Sequence, residues 1–397
     1  MPPFAGEPPD WIHHTVVVDE PLIRLHYVEA NPSKPNGHTL ILIHGFPETW
    51  YSFRHVITPL SALGYRVIAV DYRGAGDSSR PRDGYGKMSM AKDLMTMCEK
   101  LGLNKVIVVG YDIGSMVAVS MALRYQDRVE ALITFEAPIP GTKAFDIMTT
   151  SHSSTFSGLF HFFFHMQPDL PELLIQGRER EYITHFYQRL ASQLHHSSHH
   201  TDRIQCYDPS FLTSADIDIY YQSFASAGGI RCGLDTYRAF LKDIEEFRDV
   251  LDDYGKMKIP VLACNGDHSI FAQYIVEMTR EFASNVSHDV VPHASHWLPE
   301  ENPEYFVQMI QRFLVNKGTK GSFAMALLLS FPCPPMGRAS RTPARQAVPL
   351  QQVMPYLMSA TFSLCQDLAK HLLEDDETGR VRLNVLTDPS LHLRKVR

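Results

Sequence analysis

The pentapeptide Gly110-Tyr111-Asp112-Ile113-Gly114 sits between two apolar runs, Val106-Ile107-Val108-Val109 and Ser115-Met116-Val117-Ala118-Val119. That order leaves room for little besides a strand, a sharp turn and a helix. Small residues two before and two after the tip let the chain turn tightly enough to expose one side chain at the carboxyl end of a buried strand. Serine usually occupies the tip of such a nucleophile elbow, and here it is Asp112. A carboxylate with an unperturbed pKa of about 3.9 is already ionised at neutral pH, so it needs no base to activate it. A histidine at the same site is then free to activate water. Carboxylate attack on a saturated carbon leaves an alkyl ester on the protein, a chemistry suited to epoxides and alkyl halides.

Neighbouring segments repeat the pattern. Leu40 to Ile43 runs into His44-Gly45-Phe46-Pro47-Glu48, and Val67 to Val70 opens into Asp71-Tyr72-Arg73-Gly74-Ala75-Gly76-Asp77-Ser78. Three strands thus end in loops with chemical potential, as expected where an open parallel sheet places its site at the strand ends. His14 to Val18 and Leu22 to Tyr27 predict an antiparallel start. Helices are expected over Tyr51 to Leu63, kinked or ended early by Pro59, over Met88 to Leu101 and over Ile113 to Tyr125, with Leu132 to Phe135 as the next strand. From about 141 to 254 the sequence becomes aromatic-rich, histidine-rich and helical, which predicts an inserted cap. Pro260 to Asn265, the helix Phe271 to Phe282, the strand His288 to Val291 and the helix Pro303 to Val315 resume the sheet. The expected organisation is a core of residues 12–140 and 255–316 split around a helical cap, 141–254. Residues 317–397 read as a poorly ordered, proline-rich extension in which Met354 to Leu373 suits a modest helix.

With 397 residues, 44% of them hydrophobic, the chain can bury a large core. A net charge of −7 supplies no basic footprint for nucleic acid or an anionic membrane. The N-terminus lacks the features of a signal peptide, and the apolar run Phe323 to Phe331 is far short of the ~20 residues that span a bilayer. A cytoplasmic small-molecule protein without a membrane span is therefore expected. Six cysteines without a Cys-x-x-Cys spacing read as free buried thiols. His195, His196, His199 and His200 offer i,i+4 pairs that suit a metal if helical, but they read as a solvated cap loop. Gly74-Ala75-Gly76 lacks the third glycine of a dinucleotide turn. Neither metal nor cofactor is expected.

Glu136-Ala137-Pro138 follows the strand ending at Phe135, and His293-Ala294-Ser295-His296-Trp297-Leu298-Pro299-Glu300-Glu301 follows the last strand. Asp112, an acid and a histidine thus arrive in the order nucleophile, acid, histidine. His296 is the candidate base, with His293 as its reserve. Glu136 is the candidate acid, with Asp267 as its rival and a plain capping or salt-bridging role as the alternative.

Over roughly residues 12 to 316 these segments resemble the epoxide hydrolases of the α/β-hydrolase fold, and among them the Cif-like branch. The motifs are His44 to Glu48, Tyr111 to Gly114, Phe135 to Pro138, Leu159-Phe160-His161-Phe162 and Ser295 to Glu301. The resemblance implies a mostly parallel sheet flanked by helices, with an inserted helical cap. It also implies a cofactor-independent hydrolase that converts an epoxide and water into a vicinal diol through an ester on Asp112. Relatives with the acid after the later strand carry it about two residues beyond Asp267, where this chain has Ser269, so the resemblance favours Glu136. Ring opening needs a donor for the departing oxygen. On their own His161 and Tyr237 read as packing residues, whereas the resemblance makes them the histidine and tyrosine of a ring-opening pair. The backbone N–H groups of Phe46 and Ile113 are the implied oxyanion donors.

Departures from related patterns also inform. Ile113 stands where haloalkane dehalogenases commonly carry a halide-binding tryptophan, and Ile113 and Met116 stand where fluoroacetate dehalogenases carry arginines. Tyr111 and Ser295 replace a more usual histidine and glycine. The alternatives are a haloalkane or haloacid dehalogenase and a non-catalytic ligand-binding protein that keeps the fold. Homodimerisation is left open.

Overall fold

The computed structural model describes residues 4, 6–18, 23–150, 158–188 and 206–316, and the backbone of 373–375 and 381–383. Its centre is a sheet of eight strands: β1 (Trp11–Val18), β2 (Ile23–Ala30), β3 (Thr39–Ile43), β4 (Arg66–Asp71), β5 (Val106–Tyr111), β6 (Val129–Phe135), β7 (Val261–Gly266) and β8 (Val286–Val291). Their spatial order is β1-β2-β4-β3-β5-β6-β7-β8. β2 pairs antiparallel with β1 and with β4, and every other neighbour is parallel. The expected mostly parallel sheet is thus present. β3 and β5 are buried along their whole length, so they carry unbroken apolar runs rather than alternating ones.

Helices α1 (Ile57–Ala62), α2 (Lys87–Lys100) and α3 (Ile113–Arg124) connect the early strands. Between β6 and β7 lie α4 (Lys143–Met148), α5 (Phe160–Met166), α6 (Leu170–Ile175), α7 (Glu179–Gln188), α8 (Ser214–Ala225), α9 (Gly229–Arg238) and α10 (Phe240–Tyr254). α11 (Ile275–Phe282) joins β7 to β8, and α12 (Leu298–Glu301) and α13 (Pro303–Asn316) follow.

The structure corrects several expected boundaries. β1 begins at Trp11 rather than His14, because the buried Trp11 indole donates to the Thr58 hydroxyl at 3.0 Å and extends the pairing with β2. The helix expected over Tyr51 to Leu63 is a 3-10 turn, Trp50–Phe53, followed by α1. Pro59 neither ends nor kinks α1, since it lies in the first turn, where a missing N–H leaves no bond unmade. The helix expected from Phe271 starts at Ile275.

The chain divides into two compact units, Met1–Phe323 and Ala324–Arg397. Within the second, β9 (Leu373–Asp375) and β10 (Val381–Leu383) form an antiparallel pair that the sequence reading did not assign. The expected helix from Met354 lies outside the described residues except for Leu373, which starts β9. Among the described residues, no helix is long and apolar enough to cross a membrane.

The sharpest packing constraint is at the start of α3. A Cβ on Gly114 would stand 2.1 Å from the Ile43 carbonyl oxygen, and one on Gly110 would stand 2.4 Å from the Gly114 carbonyl oxygen. The helix therefore sits directly on the end of β3. Gly114→Ala forces backbone against backbone and is expected to cost about 3 kcal/mol, the upper part of the overpacking range. Gly102→Ala faces open space and meets only its positive φ, so it should cost about 1 kcal/mol. Urea unfolding midpoints of the two variants check this ranking.

Candidate active site

Asp112 occupies the tip between β5 and α3 with φ of 50°, a conformation rarely adopted by residues with a side chain. The elbow around it is over-determined. Its own N–H donates to the Phe135 carbonyl at 3.2 Å, and the Ser115 hydroxyl lies 2.6 Å from the Gly110 carbonyl and 2.8 Å from the Phe135 carbonyl. Oδ1 of Asp112 accepts the Phe46 N–H at 3.0 Å. Among the described residues, the Ile113 N–H makes no hydrogen bond to that carboxylate.

The last strands bring the other two groups to the same place. Nε2 of His296 lies 3.6 Å from Asp112 Oδ2, and Nδ1 lies 3.3 Å from Glu136 Oε2. All three side chains are buried. Glu136, with φ of 56°, directly follows β6. Its Oε1 accepts the Gly266 N–H at 2.9 Å, and its Oε2 accepts the Ser269 hydroxyl at 2.7 Å. Ser269, two residues beyond Asp267, therefore braces the Glu136 carboxylate. Burial raises the Glu136 pKa, offset in part by His296 and these donors. Burial alone would lower the His296 pKa, but the contacts and charges of Asp112 and Glu136 outweigh it and hold the imidazole up at about 9.

The two rival groups are placed elsewhere. Asp267 pairs with His268 at 2.6 Å and accepts the backbone N–H groups of His293 and Ala294, so it shapes a turn. His293 is exposed, with Nδ1 3.2 Å from the Tyr207 hydroxyl.

His161 on α5 and Tyr237 on α9 are buried with ring centroids 5.6 Å apart. The Tyr237 ring is 5.4 Å from the Phe46 ring, beside the Phe46 N–H that holds Asp112. Burial, with the Asp112 charge second, raises the Tyr237 phenol well above its ordinary range, so it stays a hydrogen-bond donor.

Several residues in and around the site were not singled out from sequence. His165 is fully buried, 4.5 Å from the Tyr237 ring, and its Nε2 lies 2.5 Å from the Tyr182 hydroxyl. Burial and then Arg238 lower its pKa to about 3, which keeps it neutral. Its i,i+4 spacing from His161 was the available signal. Glu301 accepts the N–H groups of Ser295 at 2.7 Å and Trp297 at 3.1 Å, gripping the backbone on both sides of His296. Glu48 accepts the Gly45 N–H at 3.2 Å and faces Glu300. Burial, then the charges of Glu300 and Asp112, push the Glu48 carboxyl well up, so a second acid sits near Asp112 without a second charge.

Among the described residues, no group of three or more His, Cys, Asp and Glu side chains is placed to hold a metal ion. The run from His195 to His200 lies outside them. The four described cysteines, Cys98, Cys206, Cys232 and Cys264, are buried free thiols.

An elbow carrying aspartate after β5, an acid after β6, and a histidine after β8 that lies between the two carboxylates, on this sheet, define an α/β-hydrolase arrangement. A model of the alpha/beta hydrolase fold family matches residues 38–303, and the chain belongs to that family. It is 33% identical over 304 residues to the soluble epoxide hydrolase of Corynebacterium sp. (strain C12), covering 76% of this chain and 96% of that protein. It is 31% identical over 298 residues to epoxide hydrolase 3 of Xenopus tropicalis, covering 74% and 75%. The crystal structure of wild-type Cfl2 from Burkholderia cenocepacia matches with a TM-score of 0.68 at 31% identity, covering 78% of this chain and 99% of that one.

The raised His296 pKa has a definite sign. A folded-state value of about 9, above the usual 6.5, contributes stability that is fully present below pH 6.5 and is lost as pH rises through 9. Asp112→Asn removes one of the two charges that hold the proton. His296 should then titrate at lower pH in imidazole NMR, and the loss of stability should move to lower pH with it. An unchanged titration would show that Asp112 does not govern His296.

Proposed function

We propose that this chain is a cofactor-independent epoxide hydrolase. The observation that carries the reading is the paired environment of the Asp112 carboxylate: one oxygen held by the Phe46 N–H, the other facing a histidine backed by Glu136. The named relatives are epoxide hydrolases, which supports the same reading.

Asp112 attacks the less hindered epoxide carbon. The carbon–oxygen bond breaks as His161 and Tyr237, supplied by the helical cap, donate to the departing oxygen, which becomes a hydroxyl. The product is a hydroxyalkyl ester. Esterification removes the Asp112 charge and with it part of what keeps His296 protonated, so the imidazolium releases its proton, which replaces the one given up by the ring-opening pair, and the neutral ring can then take a proton from water. That water attacks the ester carbonyl carbon, and the oxyanion forms on the oxygen already held by Phe46, with Ile113 as the second donor. On collapse the bond from the ester carbonyl carbon to the substrate oxygen breaks, His296 passes the water proton to that oxygen to complete the diol, and the second water proton, left on Asp112, returns to His296 and regenerates the carboxylate. Tyr111 and Ser295 fit this reading as supports of His296, the first through its ring at 5.2 Å and the second through its backbone bond to Glu301.

In a single turnover in heavy-oxygen water, the diol should take its oxygen from Asp112 while the label enters the aspartate. Label passing straight into the diol would exclude an ester. Halide release from alkyl halides without epoxide opening would replace the reading by dehalogenation. His296→Gln should still form the ester and fail to cleave it, because attack needs no base whereas water does. Mass spectrometry should then find the protein plus one intact epoxide, and full turnover with unmodified protein would assign the base elsewhere.

A further inference from the structure

The Phe46 N–H shares its peptide plane with the Gly45 carbonyl, and that carbonyl receives two hydrogen bonds. The Tyr72 hydroxyl donates to it at 3.1 Å and His44 Nδ1 at 2.7 Å. Both side chains are buried, and their rings stack 4.2 Å apart at 22°, which fixes the two donors together. A carbonyl only accepts, so the His44 proton is on Nδ1. Burial lowers the His44 pKa, with Asp71 opposing, so this is the only proton on a neutral ring. Nε2 is left facing Asp71 Oδ1 at 3.8 Å. Burial raises the Tyr72 phenol well above its ordinary range, so the hydroxyl keeps its proton to donate.

We propose that Tyr72 is a positioning residue for the reaction: by donating to the Gly45 carbonyl it orients the Gly45–Phe46 peptide and polarises the N–H that faces Asp112 Oδ1. An amide whose carbonyl accepts a hydrogen bond becomes a better donor at its N–H, and two such bonds act in the same direction. The inference rests on the reading of Asp112 as an ester-forming nucleophile.

That reading gives the two half-reactions opposite dependence on Tyr72. During ester formation the carboxylate loses its charge, so a strong Phe46 N–H holds the starting state and slightly resists attack. During ester cleavage a full negative charge develops on the same oxygen, so a strong N–H assists. A residue that merely props up the fold would slow both steps together.

The test is rapid-quench mass spectrometry of the full chain with an epoxide that gives a detectable ester, comparing the parent protein with Tyr72→Phe. Ester cleavage should slow by about three- to tenfold, the range for losing one hydrogen bond, and ester formation should hold or rise slightly. The ester should therefore accumulate. A parallel fall in both rate constants, or unchanged cleavage, overturns the inference. Incorporating a fluorinated tyrosine at position 72, a stronger donor of nearly the same shape, should speed cleavage; unchanged or slower cleavage overturns the inference even if Tyr72→Phe does not fold. Absence of any ester in the parent protein overturns the epoxide reading and this inference with it, whereas ester in the parent with indifferent Tyr72 variants overturns this inference alone.

Discussion

Everything at the site depends on how tightly α3 meets the ends of β3 and β6. Asp112 holds a positive φ that costs on the order of 1–3 kcal/mol for a residue with a side chain. Such a conformation persists only where its surroundings leave no alternative. Gly110 and Gly114 allow backbone contact too close for any Cβ, and the buried Ser115 hydroxyl joins the elbow to the last residues of β6. Since Glu136 directly follows β6, the bond that closes the elbow also fixes the acid. Asp112 and Glu136 are thus set from one junction, and His296 fits between them.

The electrostatics follow from that geometry. Two carboxylates on opposite sides of one buried imidazole favour its protonated form, and this is the wrong form for a base. A serine-based site faces the reverse problem, because its histidine must be neutral before the first step. In the proposed reaction the first step consumes one of the charges that hold the proton. On the proposed mechanism the same carboxylate therefore acts in sequence as nucleophile and as the control on when the base is released. Glu48 shows the matching constraint: a further acid near Asp112 is accommodated because burial, with the Glu300 charge second, pushes its carboxyl well up and so keeps it from adding charge.

What was legible in the sequence was local. The strand, glycine-bounded turn and apolar helix around Asp112 announce themselves within fifteen or so residues, and the unbroken apolar runs of β3 and β5 report a sheet covered on both faces. The preference for Glu136 over Asp267 came from the resemblance and not from local pattern, because the contacts that distinguish them are long-range: Ser269 reaches Glu136 from 133 positions away, and Asp267 is occupied by a turn. The link from Tyr72 to Gly45 escaped for the same reason, since a tyrosine in a loop after β4 carries no mark of the carbonyl it will meet. Pro59 misled because its effect depends on where a helix begins, and the break before α1 is set by tertiary packing around Trp50 to Phe53.

In the proposed reaction α5 and α9 must present His161 and Tyr237 in register with Asp112 on the sheet. The Lys87 ammonium, at the start of α2, pairs with Asp243 of α10 at 2.8 Å and donates to the Thr236 carbonyl, the residue before Tyr237. The Lys87 N–H also donates to Asp243 at 2.7 Å. On the other side, Arg54 Nε lies 3.5 Å from Asp216 of α8, and the Tyr51 hydroxyl donates to the same carboxylate at 2.8 Å. Ion pairs this deeply buried add little net stability, because desolvation offsets the attraction, yet removing one partner typically costs about 3–5 kcal/mol. Their effect is to penalise every arrangement of the cap except the one that pairs them. A buried lysine bonded to the peptide leading into Tyr237 thereby ties the position of that side chain, the ring-opening donor of the proposed reaction, to the scaffold that sets Asp112.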